Sequence, residues 1–148
     1  MLTKSSKYAI RALVYIQLRN WDSQRPGAEE IAREIEAPEA FLAKILQALT
    51  KHKLLDSMKG RGGGFFFTDN ETSLNLYDVI HIIEGDACFN NCGFGLNNCN
   101  KDNPCPLHDK YLDVREMYHT ITKTETIQSL AQKISEGNAV LNSDLTAS

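Results

Sequence analysis

Apolar residues recur every three or four positions through the first fifty residues, and this helical period is interrupted twice by polar, Pro/Gly-containing breaks. The first stretch starts near Thr3 or Ser5 and runs to about Arg19. Ala9, Ala12, Leu13 and Ile16 form its stripe, widened by Tyr8, Ile10, Val14, Tyr15 and Leu18. A helix so apolar on most sides belongs between other elements rather than on the surface. The segment from Asn20 to Gly27 breaks the period, and Trp21 within it is expected to pack on the core. A second helix is predicted from Ala28 to about Glu36, with Ile31, Ala32 and Ile35 inward. Ala37-Pro38 ends it, because the residue before proline avoids the helical region, while proline suits the first turn of the next helix. That third helix, about Glu39 to His52, aligns Phe41, Leu42, Ile45, Leu46 and Leu49, and turns Glu39, Ala40, Ala43, Lys44 and Gln47 the other way.

The period then changes. Leu54–Lys59 and Phe65–Phe67 read as strands joined by the turn Gly60-Arg61-Gly62-Gly63-Gly64. Asn75–Glu84 is again helical, with Leu76, Val79, Ile80 and Ile83 apolar and Gly85 as its stop. His81 beside this stripe is expected to be a packing histidine rather than a ligand. Further on, Leu107, Tyr111, Val114, Tyr118 and Ile121 make a heptad seam, predicting a helix from about Pro106 to Thr122 that pairs with a second copy of the chain. A shorter helix is predicted from Thr124 to about Glu136. The fold class predicted is mainly α with a small β-hairpin: a winged helix-turn-helix plus a long dimerisation helix. Along the chain this gives a winged helix-turn-helix over residues 1–70 and a connecting helix over 71–87. A cysteine-rich loop over 88–105, dimerisation helices over 106–136 and a loose tail over 137–148 complete it.

With 148 residues, 42% of them apolar, the chain can bury one proper core. Its net charge of −3 argues by itself against a nucleic-acid partner, but the charge is segregated. Residues 1–67 carry 11 Lys/Arg against 7 Asp/Glu, and residues 68–148 carry 5 against 12. A basic half suits a polyanion. Two short helices on a tight turn followed by a hairpin form a helix-turn-helix with a wing, and the partner implied is double-stranded DNA. Glu39, Ala40, Lys44 and Gln47 on the outer face of the third helix are the candidates for reading base edges. At the wing, Lys59 and Arg61 supply charge, and Gly62 and Gly63 let backbone N–H groups approach phosphate closely.

All four cysteines fall in one Gly/Asn-rich segment: Cys88, Cys92, Cys99 and Cys105, with His108 three residues beyond the last. A secreted disulfide framework spreads its cysteines through the chain; this one does not. No run of eighteen apolar residues spans a membrane, and Met1 to Lys7 leads straight into a helix rather than a signal peptide, so a cytoplasmic location is expected. In a reducing compartment, clustered thiols favour a metal or an iron–sulfur cluster. Cys92, Cys99, Cys105 and His108 are the candidate ligands, with Cys88 as the alternative fourth. The alternative at such spacing is a winged-helix regulator without a cluster, its site holding zinc or acting as a thiol redox sensor. No nucleophile–base or paired-carboxylate constellation points to an enzyme, which leaves a cluster-based electron carrier as the third functional class.

Taken together, Lys7-Tyr-Ala-Ile-Arg-Ala-Leu13, Phe41-Leu-Ala-Lys-Ile-Leu-Gln-Ala-Leu49, Lys59-Gly-Arg-Gly-Gly-Gly-Phe65, Asp78-Val-Ile-His-Ile-Ile-Glu-Gly85 and Cys92…Cys99…Cys105-Pro-Leu-His108 resemble the Rrf-type winged-helix regulators, the family of IscR and NsrR. The resemblance spans Leu2 to about Ile134. It implies a homodimeric transcription regulator that senses iron–sulfur, redox or nitric oxide status through a cluster near the dimer interface. The cluster implied is 2Fe–2S, with 4Fe–4S as the other form, on Cys92, Cys99 and Cys105 and with His108 as in IscR. Two positions depart from the family pattern. Lys7 stands where NsrR-like members bring an acidic ligand, and Ala43 stands where IscR-like members carry a glutamate in the recognition helix.

Overall fold

A computed structural model describes residues 2–68 and 73–142. Helix α1 (Lys4–Trp21) is the central element, capped by Thr3, whose hydroxyl accepts from the Ser6 N–H at 3.2 Å. Helices α2 (Ala28–Glu34) and α3 (Glu39–Lys51) pack on each other and on α1, and α4 (Leu76–Glu84) packs on α1 and α3. The core they share is Leu13 and Ile16 of α1, Ile31, Leu42, Leu46 and Leu49 of the helix pair, and Val79 and Ile80 of α4, all buried. Burying these stripes, more than helix propensity, stabilises elements as short as α2. α2 stops two residues earlier than its sequence pattern suggests, because Glu36 takes a positive φ of 56° that ends the helix ahead of Pro38.

Strands β1 (Asp56–Met58) and β2 (Gly64–Phe66) form an antiparallel hairpin in which Asp56 faces Phe66 and Met58 faces Gly64. The hairpin is tied down at one edge. The Phe65 N–H donates to the Pro26 carbonyl at 2.8 Å, and the Asn20 side-chain carbonyl accepts from the Phe67 N–H at 3.0 Å. A β-carbon on Gly64 would lie 2.1 Å from the Arg25 carbonyl oxygen, so only glycine allows the chain to pass there.

The four-residue α5 (Ala87–Asn90) follows α4, then comes the cysteine loop, then α6 (His108–Thr124) and α7 (Ile127–Ser135). α7 docks on α1 through Ile127 and Ala131, and the Gln128 amide donates to buried Gln17 of α1 at 2.9 Å. Thr126 caps α7 in a capping box with Ser129, which is why a new helix begins there rather than at Thr124. Among the described residues no helix is long and apolar enough to cross a membrane. The tail assigned from sequence to 137–148 lies outside the described residues from 143 onward.

Four local expectations are corrected. Trp21 does not pack on the core; it is the last residue of α1 and 43% exposed. Phe41, placed on the inward stripe of α3, is exposed and meets Tyr8 edge-on with ring centroids 5.7 Å apart. His81 is exposed rather than packed inside: its Nδ1 lies 2.8 Å from an Asp86 carboxylate oxygen, and its ring stacks on Tyr77. The segment around Cys88, assigned to the cysteine-rich loop, makes the single turn α5, because Phe89 is buried against Tyr77 and Tyr118.

Candidate functional site

The outer face of α3 follows from its buried stripe. With Leu42, Ile45, Leu46 and Leu49 facing the core, Glu39, Ala40, Lys44 and Gln47 are left exposed and Ala43 half-buried. At the hairpin tip, Lys59, Arg61 and Gly62 are exposed, while Gly60 and Gly62 take positive φ of 92° and 76°. Gly63 has no room for a side chain, since a β-carbon would sit 2.1 Å from the Met58 carbonyl oxygen. An exposed polar helix face and a cationic hairpin tip on one basic half can engage a duplex through its grooves and phosphates. The wing's seat on Asn20 and Pro26 went unseen in the sequence, because nothing in those two residues alone announces a strand partner.

The second site is the cysteine loop. The thiol sulfurs of Cys92, Cys99 and Cys105 all lie within 4.8 Å of one another, and that of Cys92 is 3.5 Å from that of Cys105. His108 opens α6 and is buried, with Nδ1 3.2 Å from the Cys99 sulfur. Cys88 is apart from this group: its thiol donates to the Gly85 carbonyl at 3.6 Å, next to Glu84. Burial and the Glu84 carboxylate push the Cys88 thiol pKa up.

Local turns order the loop. The Asn100 side chain accepts from the Asp102 and Asn103 N–H groups, each at 2.9 Å, and the Gly95 N–H donates to the Cys92 carbonyl at 3.0 Å. Tyr111 lies flat against Gly93, where a β-carbon would come 2.4 Å from the ring. Arg115 Nη1 donates to the Asn90 carbonyl at 3.0 Å. Two residues of α6 thus grip the loop on either side of Cys92, contacts that seam periodicity did not foretell.

The electrostatics suit a soft cation. The Leu96 N–H, with help from the Phe94 N–H and the neighbouring thiols and against some desolvation, pulls the Cys92 thiol down to about 6. Burial first, then the adjacent Cys92 and Cys99 sulfurs, pushes Cys105 up. Three clustered sulfurs, with an imidazole beside Cys99, match the ligand chemistry of iron–sulfur and zinc sites, with Cys92 ready as the thiolate that ligation requires.

The predicted dimer seam divides in two. Leu107, Val114 and Ile121 are 44%, 43% and 49% exposed, and Met117 on the same helix is 67% exposed. Tyr118 is buried against Phe89 of its own chain, with ring centroids 5.5 Å apart, and Tyr111 is half-buried on Gly93.

A helix-turn-helix, a seated glycine-rich wing and a thiol cluster behind them define a winged-helix DNA-binding regulator. The family model of Rrf2, described as an iron-dependent transcriptional regulator, matches residues 2–133, and the chain belongs to that family of regulators, which are not enzymes. A protein of Aquifex aeolicus named as an HTH-type transcriptional regulator is 32% identical over 127 residues, covering 84% of this chain and 86% of that one. The HTH-type transcriptional regulator NsrR of Oceanobacillus iheyensis is 25% identical, covering 91% and 92%. Among solved structures, that of T. potens IscR superposes with a TM-score of 0.71 at 15% identity, covering 95% of this chain and 92% of that one, a likeness of fold.

Proposed function

We propose that this Rrf2-family regulator is a cytoplasmic homodimer that binds an operator through α3 and the wing and senses iron–sulfur, redox or nitric oxide status through an iron–sulfur cluster. The observation that carries this reading is the convergence of the Cys92, Cys99 and Cys105 thiols within 4.8 Å, with His108 beside Cys99. These four residues would hold the cluster, and Cys88, turned toward Gly85 and Glu84, would stay outside it. A bound cluster supplies iron whose charge and ligation respond to oxidants and nitric oxide.

The chain's own residues do the rest. Lys44 and Gln47 offer donors and acceptors to base edges, and Lys59 and Arg61 neutralise phosphates. Tyr111 and Arg115 tie the two sides of Cys92 to α6, so an ordered loop holds α5 and α6 in one arrangement. The exposed residues Leu107, Val114 and Ile121 give α6 an apolar stripe for a second copy.

The decisive experiment is an anaerobic absorption spectrum with iron and sulfide analysis. Wild type and Cys88→Ser are expected to be coloured and to contain both elements. Cys92→Ser, Cys99→Ser and Cys105→Ser are expected to be colourless, and His108→Ala to give a shifted, labile spectrum. A colourless protein with stoichiometric zinc would replace the cluster by a zinc site.

A further inference from the structure

Arg25 lies in the connection between α1 and α2, outside the helix-turn-helix and outside the hairpin, yet its side chain meets the wing. The guanidinium carbon stands 4.1 Å from the centroid of the Phe66 ring in β2, and Nη1 lies 3.4 Å from the Met58 sulfur in β1. One residue beyond Met58 is Lys59, and two beyond that is Arg61. No carboxylate among the described residues forms an ion pair with Arg25.

The backbone beneath it is fixed. Pro26 accepts from the Phe65 N–H, and the Asn20 amide donates to the Gln24 carbonyl at 2.9 Å and to the Phe65 carbonyl at 3.3 Å. The Arg25 carbonyl lies so close to Gly64 that no side chain fits between them. Beside the guanidinium opens a cleft of about 270 Å³, walled by Ser23, Gln24 and Phe67 among others.

Stacking on an aromatic ring uses the face of a guanidinium and leaves its in-plane N–H groups for another acceptor. A thioether sulfur is a weak acceptor, so the Met58 contact leaves most of that capacity unused. A planar, exposed cation with donor capacity to spare, next to a cationic hairpin tip, matches the forked geometry by which arginine takes phosphate. We infer that Arg25, held over the Phe66 ring, contacts a backbone phosphate of duplex DNA and extends the basic edge of Lys59 and Arg61 onto the α1–α2 connection. The inference rests on the DNA-binding reading above. It adds a contact to that reading's helix and wing.

The rival role is a latch that only steadies the wing, and salt dependence separates the two. Full-length protein, prepared anaerobically, is titrated against a mixed-sequence duplex between 50 and 200 mM salt, the range over which phosphate contacts dominate the change in affinity. Arg25→Met keeps an unbranched apolar side chain on Phe66 and beside Met58 but has no charge. Each lost phosphate contact removes ~0.9 from the slope, so its affinity should fall about 3.5-fold less than that of wild type across this range. Arg25→Lys, which keeps the charge, should retain most of the wild-type slope and shows that the position tolerates substitution. An unchanged slope in Arg25→Met, whether binding is uniformly weaker or not, overturns the inference. If Lys59→Ala with Arg61→Ala still flattens the slope in that case, the DNA-binding reading stands without Arg25. Failure of wild type to bind the duplex even at 50 mM salt overturns both.

Discussion

At the scale of single residues, Glu84 ties the end of α4 to the start of α1. Its Oε1 accepts from the Thr3 N–H at 3.1 Å and from the hydroxyls of Thr3 and Ser6. Burial works against the charged carboxylate, but these donors outweigh it and hold the pKa below its ordinary 4.5. A carboxylate with a depressed folded-state pKa adds stability that is present above pH 4.5 and lost as pH falls through the lower folded value. Glu84→Gln should therefore lower Tm by several degrees at pH 7, ~1 kcal/mol corresponding to about 2–8 °C in domains of this size range. The deficit should shrink below pH 4.5 and vanish once wild type is protonated, as thermal melts between pH 7 and pH 3 would record. A deficit that stays constant with pH would mean the residue acts by shape alone. None of this showed in the sequence, where Glu84 was merely the last polar residue before a helix-stopping glycine. Its partners Thr3 and Ser6 are 81 and 78 residues away.

Elements bring the seam into focus. Heptad spacing placed Leu107, the N-cap of α6, and four residues of the helix on one line, but a line on a helix does not say which neighbour covers it. Tyr118 meets Phe89, and Tyr111 meets Gly93, both inside the chain, while Leu107, Val114 and Ile121 face outward. The dimer is therefore tested by Val114→Glu with Ile121→Glu, which touches neither internal contact. Two carboxylates placed in an apolar helix pair without partners should raise the dimer dissociation constant about 100-fold or more, read by sedimentation velocity. A dimer unaffected by this change would move the interface elsewhere. In the same way, the wing was legible as two strands around glycines, but its seat on Asn20 and Pro26 was not.

On the scale of the whole molecule, the cysteine loop joins α5 to α6, and both of its ends are anchored. On one side α5 inserts Phe89 against Tyr77 of α4 and Tyr118 of α6, at 4.6 and 5.5 Å between centroids. On the other, Cys105 and His108 lead into α6, which packs on α4, and α4 packs on α3. A change in the loop therefore has a contiguous route to the helix proposed to read DNA. Loss of the cluster should release the loop and change operator affinity by roughly 5- to 150-fold, the usual range of allosteric coupling. Anaerobic titration of one operator with holo and apo protein at a single salt concentration measures it. Equal affinities would remove the sensing role even from a protein that carries the cluster.

Periodicity determined by itself that four amphipathic helices and a glycine-rich hairpin would form in the order of a winged helix, because each pattern is local. The gathering of all four cysteines in one segment was likewise visible, since residue type and spacing are local. Only tertiary structure decided that three thiols converge with His108 beside Cys99 while Cys88 turns toward Glu84, that Trp21 is exposed, and that Arg25 lies on Phe66. The last of these joins residues 41 positions apart in the chain, and even Cys88 and Cys92, four apart, take different partners, the Gly85 carbonyl and the Cys105 sulfur. Such outcomes are set by which surfaces meet when the core closes, and a one-dimensional pattern of apolar and polar positions does not contain that pairing.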